Sequence, residues 1–267
     1  MHGQLLGWLA VLAYLAAEAL AIAGLFRSRA GAAAPAALAV GLVLQFEDLH
    51  VRARALGSVP YRTLAGSMSL FGWMLAVAYL MLLFRHRERS IGPFLIPFVV
   101  LFSVAALLVP FPPSSPRPDT QGPLFALHVT LAILGYAAFT LSFVLSVLYL
   151  LQSRQIRRAR TGLLFARLPA LEAIGRLNRT AVSIGLTSLL VSVVFGALWA
   201  QRFWTSLADA KILWAVFTVA VYGFLLWMDR RGWKGQRVAL LSIAGFGLVL
   251  FSYTVVNIYL TRAHTFR

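Results

Sequence analysis

A chain of 267 residues that is 60% hydrophobic and 12% charged, with a mean hydropathy of +0.82, lies far from soluble domains, which carry about 25% charge. About 160 apolar residues suffice for roughly eight membrane spans of about 20 residues each, which excludes a large soluble domain. The net charge of +16 would suit nucleic acid in a soluble chain, but here Arg and Lys sort by membrane side, and no nucleic-acid role is expected.

In chain order the apolar runs predict helices over Leu5 to Phe26, Ala30 to Phe46, Leu64 to Phe84, Ile91 to Val109, Leu124 to Gln152, Ala181 to Trp199, Ile212 to Met228 and Val238 to Leu260. Long unalternating runs favour an all-α polytopic bundle over a β-barrel. Residues 1–267 read as one transmembrane domain with an N-terminal four-helix half, 1–122, and a C-terminal half, 123–267. The first run has no positive segment before it and is followed by Arg27 and Arg29, so it reads as a retained span with its N-terminus outside.

Loop charge supports that topology. Sixteen basic residues fall in the inner loops, seven of them arginines from Arg154 to Arg179, against eight in the outer segments. Both termini are therefore expected outside. The inner loops are also free to meet anionic lipid. Within the longest of them, Leu163 to Leu177 reads as a short amphipathic helix along the surface. The outer segment Pro110 to Pro123 reads as a stiff proline-rich connector.

Few side chains remain for chemistry. There is no cysteine, which excludes disulfides, thiolate metal sites and thiol exchange. Of the acidic residues only Glu18 falls within an expected span, too few for an ion-coupled transporter. P-loop, HExxH and GxSxG motifs are missing. His2, His50, His128 and His264 fall toward the outer face, and His86 lies among inner arginines. An imidazole there serves either as a structural hydrogen-bonder or as an axial haem ligand. Trp199, Trp204 and Trp214, with Arg202, Asp209 and Lys211, form the segment between the sixth and seventh spans. They suit an aromatic belt, or a shelf on which indoles stack against a porphyrin and a cation meets its propionates.

Several ordered motifs resemble the cytochrome c assembly proteins of the CcsA and CcmC type. Leu127-His128-Val129 with Tyr136 and Phe139 is similar to that family's first histidine helix, and Leu168-Pro169 with Leu171-Glu172 resembles its inner LPxLE pattern. Gly196 with Trp199-Ala200, then Asp209-Ala210-Lys211 and Trp214, is similar to its tryptophan-rich segment. Tyr222, Arg231-Gly232-Trp233 and Gly235 resemble the following helix and turn, and Asn257 before His264-Thr265-Phe266 resembles its ending. The tryptophan-rich segment is about two residues short between Trp204 and Asp209. Leu226 stands where haem-exporting members place a membrane histidine. Both departures resemble the HemX or YpjD-like branch, as do Gly57 to Pro60 and Trp73, although Gly66 stands where an acidic residue is usual.

The resemblance implies a membrane protein of cytochrome c biogenesis that presents non-covalent b-type haem on the outer face of a bacterial inner membrane. Its partners would be other assembly proteins and apocytochrome c, and it would carry no catalytic residue of its own. His128 and His264 would be the axial ligands; Trp199, Trp204 and Trp214 would wall the porphyrin; Arg202 or Lys211 would meet the propionates. Asp209 would orient a neighbour or cap the seventh span, and His50 is a further candidate at the same face. The alternative is a HemX-like regulator or scaffold of tetrapyrrole homeostasis that acts through the basic inner loops without haem transfer.

Overall fold

A computed structural model describes residues 2–56, 63–109, 122–159, 162, 166–201, 210–233 and 235–251. They form eight helices: α1 (His2–Gly24), α2 (Ser28–Leu56), α3 (Leu64–His86), α4 (Gly92–Leu108), α5 (Pro123–Arg157), α6 (Leu171–Ala200), α7 (Ala210–Arg230) and α8 (Gly235–Phe251). No strand occurs among the described residues, and the chain is a helical membrane bundle. Six helices are long and apolar enough to cross a bilayer, while α4 and α8 are shorter apolar helices. Hydrocarbon offers no partner to a backbone N–H or C=O, so apolar runs of this length satisfy their polar groups internally as helix.

Local signals fix several helix ends. The Thr63 hydroxyl accepts the Gly66 N–H at 3.0 Å and opens α3, which closes at Arg87 in the left-handed region with φ 60°. Gly122, at φ 103°, turns the chain into Pro123, whose fixed φ suits a first helical turn.

Two expectations change. Helix α2 runs well past Phe46 to Leu56, with Pro35 inside it, and carries Glu47, Asp48 and His50 along. Asp48 is 2% exposed, and its carboxylate pairs at 2.9 Å with Arg52 one turn on. Pairing at that spacing neutralises the charges and lets the helix continue. Glu18 is therefore not the sole carboxylate within a span. The surface helix expected over Leu163 to Leu177 does not run unbroken: Ala166 and Arg167 are helical, the chain leaves helix at Leu168–Ala170, and Leu171–Leu177 is the opening of the continuous α6, with residues 163–165 outside the described residues. Pro169 disfavours helical backbone before it, and no breaker separates Leu177 from the run that follows.

The chain divides into two compact units, Met1–Gln121 with Ala166–Pro169, and Gly122–Phe165 with Ala170–Arg267. The first holds α1 to α4 and is cross-braced by one buried amide. Tyr14 donates to Gln45 Oε1 at 2.7 Å, and Gln45 Nε2 donates to Ser69 O at 3.0 Å, Ser69 Oγ at 3.1 Å and Ser103 Oγ at 3.3 Å. One side chain thereby links all four helices. Gly41 makes room for it, because a Cβ there would come within 2.4 Å of the Tyr14 ring.

In the second unit α5 and α6 run antiparallel in close contact. Phe125 meets Trp199, His128 meets Gly196, Phe139 meets Gly185 and Ser142 meets Asn178, each step forward on α5 matched by a step back on α6. Small residues set the separation: a Cβ on Gly135 would lie 3.1 Å from the Gly185 carbonyl oxygen. Helices α7 and α8 complete the core, in which Phe139 stacks on Tyr222 at 3.6 Å between ring centroids and 5° between planes. A polar chain ties three helices, with Ser142 Oγ donating to Asn178 Oδ1 at 2.6 Å and Asn178 Nδ2 donating to Ser242 Oγ at 3.2 Å.

The two ends of this unit differ in kind. Arg154, Arg157 and Arg158 end α5, Arg176 and Arg179 begin α6, Arg230 and Arg231 close α7, and Arg237 begins α8. Antiparallel packing gathers all of these at one end, locked by Arg179 to Asp229 at 2.5 Å and Arg157 to Gln236 at 2.7 Å. His128, Trp199 and Trp214 lie at the opposite end.

Candidate functional site

His128 stands on the second turn of α5, where it reaches α6. Its Nδ1 lies 2.8 Å from the Ser192 carbonyl oxygen. A carbonyl only accepts, so Nδ1 carries the proton and the in-plane lone pair belongs to Nε2. Ser192 fastens the same residue a second time, its hydroxyl donating to the His128 carbonyl at 2.7 Å.

The ring is held from below by the absence of a side chain. A Cβ on Gly196 would approach His128 Nδ1 to 2.6 Å and Cε1 to 2.7 Å, closer than real Cβ contacts come. Gly196 lies one turn beyond Ser192, so the carbonyl that orients the imidazole and the gap that admits it share one face of α6. The next turns add aromatic surface. Trp199, 5% exposed, packs on Phe125 with centroids 5.0 Å apart, and Phe125 lies one turn before His128.

A partly buried imidazole with a fixed tautomer, the N–H given to a backbone carbonyl and the lone pair at the other nitrogen, has the donor chemistry of an axial metal ligand with its outer-shell support. These residues therefore fit haem as one ligand set among aromatic walls.

The other expected residues divide by location. Trp214 lies on the first turns of α7, partly buried, edge-on to Phe217 at 5.6 Å, with Thr218 donating back to its carbonyl. Lys211 lies on α7, and its side chain is outside the described residues, as are Arg202, Trp204, Asp209 and His264 altogether. His50 is exposed on α2 in the first unit and stacks on Phe46 at 6.3 Å, with Trp73 beyond it at 6.1 Å. Leu226 packs against the Phe139 and Tyr222 core. Reasoning from residue types missed Ser192 and Phe125. Phe125 could have been found from its one-turn spacing to His128, whereas Ser192 gave no sign of its role.

The family model for cytochrome C assembly protein matches residues 61–264, about three-quarters of the chain. The chain belongs to that family. The match includes α3 and α4, so it extends further toward the N-terminus than the motifs of the C-terminal half. The chain is 31% identical over 180 residues to protein HemX of Brevibacillus brevis, covering 66% of this chain and 65% of that one. It is 25% identical over 261 residues to the cytochrome c biogenesis protein CcsA of Trieres chinensis, covering 85% and 84%. It is 28% identical over 217 residues to HemX of Bacillus subtilis (strain 168), covering 79% and 78%. Membership of the cytochrome c assembly family gives this membrane protein a role in cytochrome c biogenesis.

Proposed function

We propose that the chain holds haem at the end of its second unit opposite the arginines and hands it to cytochrome c assembly. His128, through Nε2, and His264 would hold the haem iron. Trp199, Trp204 and Trp214 would wall the porphyrin, Arg202 or Lys211 would meet the propionates, and Asp209 would orient a neighbour or cap α7. Bound haem would supply a redox-active iron open to imidazole ligands. The chain's own part is to orient the imidazoles, exclude water with aromatic surface and release the group to other assembly proteins and to apocytochrome c.

The observation that carries this reading is the hydrogen bond from His128 Nδ1 to the Ser192 carbonyl at 2.8 Å, which aims a lone pair from a defined ring position. The arginine-rich end supports the sidedness. If it faces inward, as positive charge does in bacterial membranes, His128 faces outward. The reading takes the haem as non-covalent b-type on the outer face of the inner membrane, with both termini outside. In this reading the whole chain acts as one membrane domain whose C-terminal half handles haem.

The relatives named HemX favour a second reading, a regulator of tetrapyrrole homeostasis that works through the basic end without haem transfer. One experiment separates the two. Purified protein should show a low-spin Soret spectrum near one haem per chain; His128→Ala should lower haem retention at least about tenfold, a change of about 1.4 kcal/mol. His86→Ala should match the wild type. Equal haem in both variants overturns the ligand assignment, and no haem after reconstitution moves the weight to the regulatory reading.

A further inference from the structure

A groove of about 310 Å³ runs between α6 and α7 on the second unit, lined by Ser183, Leu186, Leu190, Gly223, Trp227 and Arg230, and it plays no part in the haem reading. The pairing of Arg179 with Asp229 fixes how its walls align. Ser183 faces the Trp227 and Arg230 end, and Leu190 lies deeper beside Gly223, so the groove is polar and cationic at its mouth and mostly apolar within, where Thr187 is the one polar side chain among Leu186, Leu190 and Leu226. From Ser183 to Leu190 it spans roughly 10 Å along the helix axis.

Its floor is open because α7 carries a glycine there. A Cβ on Gly223 would meet no heavy atom within 4 Å. At the mouth, Arg230 is exposed and has no ion-pair partner among the described residues, while Arg231 lies over the Trp227 ring at 5.1 Å. Tryptophan beside arginine is the pairing found where a helix meets the headgroup layer. An anionic headgroup at the mouth continuing into a hydrocarbon tail matches this order of chemistry, and a basic pocket between membrane helices is a recognised headgroup site.

We propose that the α6–α7 groove binds one anionic phospholipid from the leaflet at the arginine-rich end, with Arg230 on its phosphate and an acyl chain lying over Gly223 between Leu186, Leu190 and Trp227. The Asp229 carboxylate does not oppose this, because Arg179 neutralises it. A zwitterionic lipid brings its own cation to the same mouth and is held less well.

The test is native mass spectrometry of the detergent-purified full chain with phosphatidylglycerol and with phosphatidylcholine of the same acyl chains. The wild type should retain phosphatidylglycerol over phosphatidylcholine by roughly fivefold, the effect of one arginine at the headgroup. Arg230→Gln should bring the two lipids to the same level. Gly223→Leu should lower retention of both, with a melting temperature near the wild type because the new side chain enters open space. Arg237→Gln, whose guanidinium lies over Trp233 away from the groove, should behave as the wild type. Equal retention of the two lipids by the wild type, no retained lipid at all, or unchanged phosphatidylglycerol retention in Arg230→Gln and Gly223→Leu would each overturn the proposal.

Discussion

Gln45 in the first unit and His128 in the second are both polar side chains on apolar helices, and they are held in different ways. Gln45 is buried, and its amide is engaged by Tyr14, Ser69 and Ser103 from three other helices. His128 is partly buried at a helix end, and Ser192 on the neighbouring helix fastens it at both its ring Nδ1 and its backbone carbonyl. A group that bonds in every direction is a brace, and its substitution is felt as lost stability. A ring tied through Nδ1 to a backbone carbonyl has its tautomer and orientation defined, and under the proposed haem reading its substitution is felt as lost binding. The contrast separates architecture from site without reference to residue type.

The largest effect expected from breaking it is on the brace. Gln45→Leu removes four hydrogen bonds and leaves the Tyr14 hydroxyl buried without an acceptor. The serine hydroxyls can turn back to their own helix carbonyls, so the loss falls mostly on tyrosine. Interhelical hydrogen bonds in membranes average about 0.6 kcal/mol, and an orphaned buried hydroxyl adds to that, so a loss of about 2–3 kcal/mol is expected in detergent unfolding. Haem content per folded chain should stay at the wild-type value. A variant that kept its stability but lost haem would reverse the roles assigned to the two residues.

On the other side of the comparison, Gly196→Ala acts on His128 without touching it chemically. The new Cβ would sit 2.6 Å from Nδ1, so the imidazole must swing off the Ser192 carbonyl. A displaced ring should weaken haem retention by about tenfold, or about 1.4 kcal/mol, and shift the Soret maximum, while alanine's better helix propensity offsets part of any strain in stability. Wild-type spectra and retention in Gly196→Ala would show that the close contact does not set the imidazole.

These two residues also mark what could be read from the sequence. The helices were legible because hydrocarbon leaves the backbone one solution, and the class followed from composition alone. Helix ends were less so. Glu47 to Arg54 look like a loop until Asp48 and Arg52 are seen one turn apart, and Leu171–Leu177 look like a surface helix until the continuity past Thr180 is weighed. His128 and Trp199 stood out by residue type. Ser192 did not, and Gly196 stood out as a motif residue with no function attached, because a serine and a glycine acquire meaning only when the register of α5 against α6 brings them to the imidazole. Gln45 gave no sign either, since its partners come from helices far apart in the chain.

The smallest effect tests whether the number of ties, rather than burial, scales the cost. Asn178 is buried like Gln45, at 5% against 2% exposed, but makes two hydrogen bonds, to Ser142 and Ser242, each a hydroxyl that can fall back on a carbonyl of its own helix. Asn178→Leu is close in volume and leaves no tyrosine orphaned, so its cost should be about 1 kcal/mol, below that of Gln45→Leu. It also lies toward the arginine-rich end of α6, several turns from Ser192, so the Soret spectrum should not change. A cost equal to that of Gln45→Leu would mean that desolvation of the amide, and not the bonds it makes, governs both units. A spectral change would mean instead that the Ser142 to Ser242 tie holds the register on which the His128 geometry depends.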